Sequence, residues 1–168
     1  MSDSHIVVLT GGVRSGKSRR ALELAAAHRP KIFIATATAS DDEMRARIES
    51  HRAERDESWT TVEEPLDLTR VLRAHGQGAV VIDCMTLWLA NAMDAGIDLF
   101  AVLSETLSAA RDRAGLTIFV TNEVGWGIVP EYEAGRRFRD ASGAMNQRLA
   151  YAADRVVLVV AGLTLTLK

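Results

Sequence analysis

Two patterns alternate along the chain: apolar runs of strand length, and longer segments in which apolar residues recur every three or four positions. The apolar runs predict buried strands at 5–10, 31–37, 79–84, 116–121 and 155–161. The periodic segments predict helices at 17–28, 41–55, 66–74, 99–114 and about 131–152. Because parallel strands need crossover connections, this order predicts an α/β fold with a mostly parallel sheet and helices on both faces. The final LTLTLK alternates apolar and polar residues and predicts an antiparallel edge strand.

Composition limits the class of protein. The chain has 168 residues, of which 48% are hydrophobic and 25% charged, and it shows no repeat or linker, so we expect one globular domain spanning 1–168. The net charge of −2 argues against a general nucleic-acid binder. Cys84 is the single cysteine, which excludes an intramolecular disulfide and fits a reducing compartment. With no signal-peptide pattern at the N-terminus, we expect a cytoplasmic protein without membrane insertion.

The segment GGVRSGKS matches the phosphate-binding P-loop pattern between a predicted strand and a predicted helix. Its glycines allow backbone N–H groups to point at phosphate oxygens, Lys17 would supply charge to the β and γ phosphates, and Ser18 would hold Mg²⁺. The alternative is an ordinary glycine turn before a helix. Lys17 is one of only three lysines in the chain and stands where the motif requires it, which favours nucleotide binding. The predicted phosphate-binding residues are Gly11, Gly12, Val13, Arg14, Ser15, Gly16, Lys17 and Ser18.

A P-loop usually works with an acidic residue at the end of a neighbouring buried strand. The run AVVIDC supplies Asp83, which we predict to bind the same magnesium ion. The alternative is that Asp83 caps the segment that starts MTLWLANAM. No N-K-x-D sequence occurs, which argues against a switch-type GTPase.

The predicted helix at 41–55 places a histidine among arginines. Spacings of four put Arg47, His51 and Arg55 on one face. Nearby positive charge would keep His51 neutral and nucleophilic while the arginines bind phosphate oxygens, which suits attack on phosphorus. The alternative is a solvated helix with an incidental histidine, whose arginines pair with Glu49, Glu54 and Asp56. The residues leave both interpretations open.

Several segments together resemble one known family. They are GGVRSGKS, ATAT, DDEMRARIESHRAERDESWTTVEEP, VVIDCMTLWLAN and VTNEVGWGIVPEYEAGRRFRDASGAMNQRLAYAADRVVLVVAGL. In order and spacing they resemble the bifunctional adenosylcobinamide kinase/adenosylcobinamide-phosphate guanylyltransferase family of cobalamin biosynthesis. The P-loop is common to many NTPases, whereas the His-Arg helix with W-x-T-V-E-E-P and the T-N-E-V-G-x-G-I-V-P segment are far more specific.

The resemblance implies a RecA-like P-loop fold, a homotrimer, a corrinoid substrate, and GTP and ATP as phosphate donors. It implies that the enzyme phosphorylates adenosylcobinamide and then transfers GMP from GTP, through a covalent adduct on His51, to give adenosylcobinamide-GDP. It implies that GTP is further contacted by Thr36, Ala37, Thr38, Arg52, Ala53, Glu54, Arg55, Glu63 and Asp83. A single-step P-loop kinase of another small molecule is the alternative; it would use Lys17, Ser18 and Asp83 but not His51. A nucleotide-binding regulator without turnover is a third possibility.

The loop NEVGWGIVP follows a predicted strand at the end of the sheet where ligands of open α/β folds bind. Asn122 and Glu123 open this loop, which is a candidate to close over phosphate or corrinoid. The alternative is a tight turn in which Trp126 fills a gap. Arg136, Arg137 and Arg139 follow the loop and favour a solvated helix face over an anion site. Trp59, Trp88 and Met85 are expected in the core.

Overall fold

The computed structural model describes residues 5–38, 42, 45, 49, 52, 53 and 55–168. Its centre is a seven-stranded sheet in the order β3-β2-β4-β5-β1-β6-β7. All neighbouring strands are parallel except β7, which pairs antiparallel with β6. The predicted α/β fold, its mostly parallel sheet and its antiparallel C-terminal edge are confirmed. The strands are β1 (His5–Thr10), β2 (Lys31–Ala35), β3 (Trp59–Glu63), β4 (Gln77–Asp83), β5 (Ala114–Val120), β6 (Arg155–Val160) and β7 (Leu163–Thr166).

Helices cover both faces of the sheet. Strands β1, β2, β4 and β5 are buried on both faces, which explains why each reads as a continuous apolar run. Ala21 and Ala25 of α1 pack on one face, and buried side chains of the other four fully described helices pack on the opposite face. The helices are α1 (Lys17–Ala25), α2 (Leu68–Ala74), α3 (Met85–Asp94), α4 (Leu99–Asp112) and α5 (Glu133–Ala152).

Two elements are missing from the sequence prediction. Strand β3, WTTVE, is polar at most positions because it lies at the edge of the sheet and pairs only with β2. Helix α3 is apolar on most sides, and its Met85 and Trp88 are fully buried, so its sequence lacks the polar face that marks a surface helix. Both elements become recognisable only once their packing partners are present.

Two helix ends differ by two or three residues from their predicted positions. Helix α1 ends at Ala25 rather than at 28, where the Ala26 N–H donates to the Glu23 carbonyl and the His28 N–H to the Ala25 carbonyl in tighter turns. Helix α2 begins at Leu68, since the Asp67 side chain accepts a hydrogen bond from the Arg70 N–H and caps the helix.

The predicted helix at 41–55 lies largely outside the described residues, and so do His51 and Glu54. The residues described there with helical backbone are Asp42, Arg45, Glu49, Arg52 and Ala53. Among the described residues, no helix combines the length and the apolar composition needed to cross a bilayer.

Candidate nucleotide-binding site

The predicted P-loop connects β1 to α1 at the edge of the sheet where the parallel strands end. Gly11 has φ 145°, and a Cβ there would lie 2.2 Å from the Val159 carbonyl oxygen, so only glycine fits. Gly16 has φ 100° and directly precedes α1. The loop is tied down on two sides: Gly162 N donates to the Ser15 carbonyl at 2.9 Å, and Glu123 N donates to the Gly11 carbonyl at 3.1 Å. The loop is therefore a fixed cradle open towards the helix N-terminus, as phosphate binding requires.

Lys17 begins α1 and folds back over this loop. Its side chain is 5% exposed, and Nζ donates to the Gly12 carbonyl at 2.5 Å and to Ser15 Oγ at 3.4 Å. Burial lowers the pKa of Lys17, while the negative charge of Asp83 acts to raise it. The structure thus brings together Lys17 and Asp83, two predicted site residues that are far apart in sequence.

Asp83 is the last residue of β4, next to Ala35 of β2 on one side and Val120 of β5 on the other. The N-cap residue of α3 is Cys84. Asp83 is therefore not the cap of that helix, and the capping alternative is wrong. Burial and the Asp83 charge raise the pKa of the Cys84 thiol to about 11. A thiol held neutral in this way is a poor nucleophile.

Thr36 fixes the chain that follows Asp83. Its hydroxyl donates to the Cys84 carbonyl and accepts from the Cys84 N–H, both at 2.8 Å. Asn91 Nδ2 donates to the Thr36 carbonyl at 2.9 Å. Thr36 is fully buried, Ala37 is half-buried and Thr38 is exposed. Of the three predicted residues, Thr36 positions the strand ends, and Ala37 and Thr38 are the ones accessible to a ligand.

The remaining predicted contacts belong to β3 and to the segment that precedes it. Glu63 ends β3 opposite Ala35 and is exposed. Arg55 is half-buried with its guanidinium 3.9 Å from the centre of the Phe33 ring. Arg52 and Ala53 are exposed. For the solvated-helix alternative, Arg45 pairs with Asp42 at 2.6 Å, whereas Asp56 lies 3.6 Å from Lys31.

A polar network that the sequence prediction misses lies at the end of β5. Thr10 Oγ1 donates to Glu123 Oε1 at 2.5 Å, and Thr121 Oγ1 donates to Asn146 Oδ1 at 2.7 Å. Asn146 Nδ2 donates to the Asn122 carbonyl at 3.2 Å and to Glu123 Oε1 at 3.3 Å. In the sequence, Asn146 could be singled out only because asparagine has a low helix propensity and yet lies inside a predicted helix. The network joins the ends of β1 and β5 to α5.

The loop after Glu123 is held by arginines of α5. Arg139 Nη2 donates to the Gly125 carbonyl at 2.6 Å, and Arg136 Nη1 donates to the Pro130 carbonyl at 3.1 Å. Residues Val124–Trp126 form a tight 3-10 turn, as the alternative predicts, but Trp126 is 68% exposed and fills no gap among the described residues. Ile128 is 97% exposed on the same loop. The loop thus presents apolar side chains beside the P-loop.

The sheet order and the P-loop define a class of protein: a nucleotide-binding P-loop domain of the RecA-like type. The chain is similar to an ATPase from the type III secretion system of pathogenic bacteria, with TM-score 0.60, 11% identity, and coverage of 97% of this chain and 57% of that chain. It is also similar to the RadB recombinase, with TM-score 0.54, 16% identity, and coverage of 94% and 74%. At such low identities these likenesses show the fold alone.

Sequence comparison identifies the family. The model of the family "Cobinamide kinase / cobinamide phosphate guanyltransferase" matches residues 7–167. The bifunctional adenosylcobalamin biosynthesis protein CobP of Pseudomonas aeruginosa is 42% identical over 166 residues, covering 96% of each chain. The bifunctional protein CobU of Escherichia coli is 38% identical over 180 residues, covering 97% of this chain and 99% of that protein. The chain belongs to this family of transferases, which confirms the resemblance and the enzyme assignment.

Proposed function

We propose that this enzyme phosphorylates adenosylcobinamide with ATP or GTP and then transfers GMP from GTP to the product, giving adenosylcobinamide-GDP. The observation that carries the proposal is the meeting of Lys17 and Asp83 beside a P-loop, in a chain that matches the family over 7–167. The printed names of its relatives describe bifunctional proteins of adenosylcobalamin biosynthesis, which supports two activities in one chain. All described strands form one sheet, which supports a single catalytic domain.

For the kinase step, the backbone N–H groups at 11–18 and the Lys17 ammonium would hold the β and γ phosphates. Ser18, in the first turn of α1, and Asp83, which interacts with Lys17, would offer oxygen ligands, the kind that Mg²⁺ prefers. No group of three His, Cys, Asp or Glu side chains forms a metal site in the described part of the chain, and Mg²⁺ bound with substrate phosphates needs only one or two protein ligands. When bound, Mg²⁺ would neutralise charge that develops on the β and γ phosphate oxygens.

For the guanylyl step, the His51 imidazole attacks the α phosphorus of GTP, an N–P bond forms, and the P–O bond to pyrophosphate breaks. A phosphate oxygen of adenosylcobinamide phosphate then attacks the same phosphorus and the N–P bond breaks, so one displacement becomes two. His51 lies outside the described residues, and the proposal for it rests on its sequence context. We propose that the guanine nucleotide is contacted by Ala37, Thr38, Arg52, Ala53, Glu54, Arg55 and Glu63, with Thr36 holding the adjoining strand ends.

The corrinoid would lie against the loop at 124–132. This loop is bonded to the P-loop through Glu123 and carries exposed apolar side chains, notably Trp126 and Ile128. A corrinoid is a large macrocycle with apolar methylated faces, and such a ring binds to exposed aromatic and aliphatic side chains. In this proposal the apolar body of the substrate would lie on the loop, with its hydroxyl arm towards the phosphates.

We also propose a homotrimer in which a neighbouring copy covers β7. The edge strand is exposed along its whole length, with Leu163 75% and Leu165 59% exposed. An exposed apolar edge strand favours association, because unpaired backbone groups and apolar side chains both gain partners. A cytoplasmic location stays a prediction from the sequence.

The decisive experiment replaces His51 by asparagine. With GTP labelled at the α phosphate, the wild-type protein should become labelled and release pyrophosphate. His51→Asn should form no adduct and lose guanylyl transfer, while phosphorylation of adenosylcobinamide persists because the P-loop is unchanged. The adduct should be lost in mild acid and survive base, as expected of a phosphoramidate.

His28→Asn is the matched control, since His28 lies next to β2 at the opposite end of the sheet. It should behave as the wild type. An adduct on another residue, or full guanylyl transfer by His51→Asn, would contradict the proposal. Phosphorylation without any labelling of the wild-type protein would instead establish the single-step kinase.

A further inference from the structure

The residues that follow β5 lie between the two parts of the proposed phosphate site. In the strand order, β5 lies between β4, which ends at Asp83, and β1, which leads into the P-loop. A γ phosphate held by Lys17, together with a metal ion that Asp83 would bind, would therefore lie near the carboxyl end of β5. Any side chain that acts on the group attacking this phosphate must come from that end.

Glu123 stands at this point with its side chain fixed. Its carboxylate oxygen Oε1 accepts hydrogen bonds from the Thr10 hydroxyl at 2.5 Å and from Asn146 Nδ2 at 3.3 Å. Thr10 directly precedes the P-loop, and the Glu123 N–H donates to the Gly11 carbonyl at 3.1 Å. Neither side-chain bond uses Oε2. The carboxylate is thus tied to the base of the P-loop through one oxygen.

Among the described residues, no cation neutralises the charge of Glu123. Both donors to its carboxylate are neutral, and within the described part of the chain no lysine, arginine or histidine forms an ion pair with it. Asp83, at the end of β4, differs in that it interacts with the charge of Lys17. The other polar side chains of the network are hydroxyls and amides, which are poor proton acceptors.

We propose that Glu123 is the general base of the kinase step, an inference that rests on the function proposed above. The proton of the substrate hydroxyl moves to Oε2 while the hydroxyl oxygen forms a bond to the γ phosphorus. The bond between the γ phosphorus and the β–γ bridging oxygen breaks, and the nucleoside diphosphate leaves with that electron pair. Thr10 and Asn146 are positioning residues, since they hold Oε1 and thereby orient the carboxylate.

The two reactions of the enzyme need this base to different extents. An alcohol loses its proton on becoming a phosphate ester, so the kinase step gains from a positioned acceptor. In guanylyl transfer the attacking group is a phosphate that is already ionised at neutral pH. Glu123 should therefore matter for the first reaction and be dispensable for the second.

The experiment compares Glu123→Gln with the wild type in both reactions. Glutamine has the same shape, and its amide oxygen accepts the same two hydrogen bonds, but it cannot take a proton. The kinase kcat should fall about 100-fold or more, the effect of losing a general base, with little change in KM for nucleotide or corrinoid. Guanylyl transfer to adenosylcobinamide phosphate, prepared with the wild-type protein, should stay near the wild-type rate. Glu105→Gln, at an exposed position of α4 away from the proposed site, is the matched control and should leave both reactions unchanged.

Glu123→Asp separates a base from a structural hydrogen-bond acceptor. A base requires a carboxylate, so the aspartate variant should retain more kinase activity than the glutamine variant. If the hydrogen bonds alone matter, the isosteric glutamine variant should be the more active of the two, and the inference is wrong.

Three further results would overturn the inference: kinase activity within threefold of wild type in Glu123→Gln, equal loss of both reactions, or restoration of kinase activity by raised Mg²⁺, which would make Glu123 a metal ligand. The proposed function fails in a different way, when the wild-type protein produces no adenosylcobinamide phosphate.

Discussion

Two buried cations at opposite ends of the sheet serve different purposes. Lys17 is 5% exposed at the carboxyl end, and Arg113 is 2% exposed beside the amino ends of β4 and β5. Burial lowers the pKa of both side chains, that of Arg113 to about 10. By burial alone, either residue would be a candidate for a functional site.

Their hydrogen bonds distinguish them. The Arg113 guanidinium donates to four backbone carbonyls and one hydroxyl, which accounts for all of its N–H groups. These acceptors are the carbonyls of His75, Leu116, Gln77 and Gly78 and the hydroxyl of Thr117. Lys17 instead donates hydrogen bonds within a glycine-rich loop whose backbone N–H groups can bind an anion. It also interacts with Asp83 at the end of β4. A buried cation marks a binding site only when its surroundings can still take a ligand.

Lys17→Ala should have the largest effect. Kinase turnover should fall at least about 1000-fold and nucleotide affinity should drop strongly, because no nearby lysine can replace its charge on the β and γ phosphates. Thermal stability should stay level or rise, since the substitution removes a desolvated charge. Steady-state phosphorylation assays and thermal melts measure both quantities.

Lys31→Met is the control for Lys17, because Lys31 is also buried but lies against Trp59 and Asp56. It should keep the kinase reaction. Near-normal phosphorylation by Lys17→Ala would contradict the phosphate-binding role of the loop at 11–18.

Arg113→Met should show the opposite result. The free energy of unfolding should fall by roughly 2–4 kcal/mol, because several buried carbonyls lose their donor while the methionine fills part of the space. Nucleotide affinity and kcat/KM of the folded fraction should remain close to wild type. Urea denaturation and a binding titration would measure the two properties, and Arg73→Met, at an exposed position of α2, should change neither. Normal stability of Arg113→Met, or loss of turnover by the folded variant, would contradict a purely structural role for Arg113.

Introducing a lysine on the exposed strand β7 tests whether a cation is also tolerated at the proposed contact between copies. If Leu165 lies between copies, Leu165→Lys buries an unpaired cation and should convert the assembly to smaller species. Thr164→Lys, on the other face of the same strand, should have a weaker effect. Light scattering should give the wild type three times the 18.3 kDa mass of one chain. A wild-type mass of 18.3 kDa at micromolar concentration, or equal effects of the two lysines, would contradict the proposed trimer.

The local pattern of the sequence was enough to predict the central strands and the phosphate loop. Strand β1 was predicted at 5–10 and is found there, because a strand buried on both faces is apolar at nearly every position. The P-loop is contiguous, so its glycines and Lys17 are recognisable without knowledge of any partner. Edge strand β3 and buried helix α3 were missed because neither has the periodicity of its class.

The tertiary structure alone decided which polar groups meet. Glu123 is 113 residues from Thr10 and 23 from Asn146, and Thr36 is 48 residues from Cys84. No spacing rule in a sequence predicts such pairs, since they depend on β5 lying beside β1 and on β2 lying beside β4. Strand order results from long-range packing of the whole sheet, whereas periodicity records only the faces on which each segment is buried.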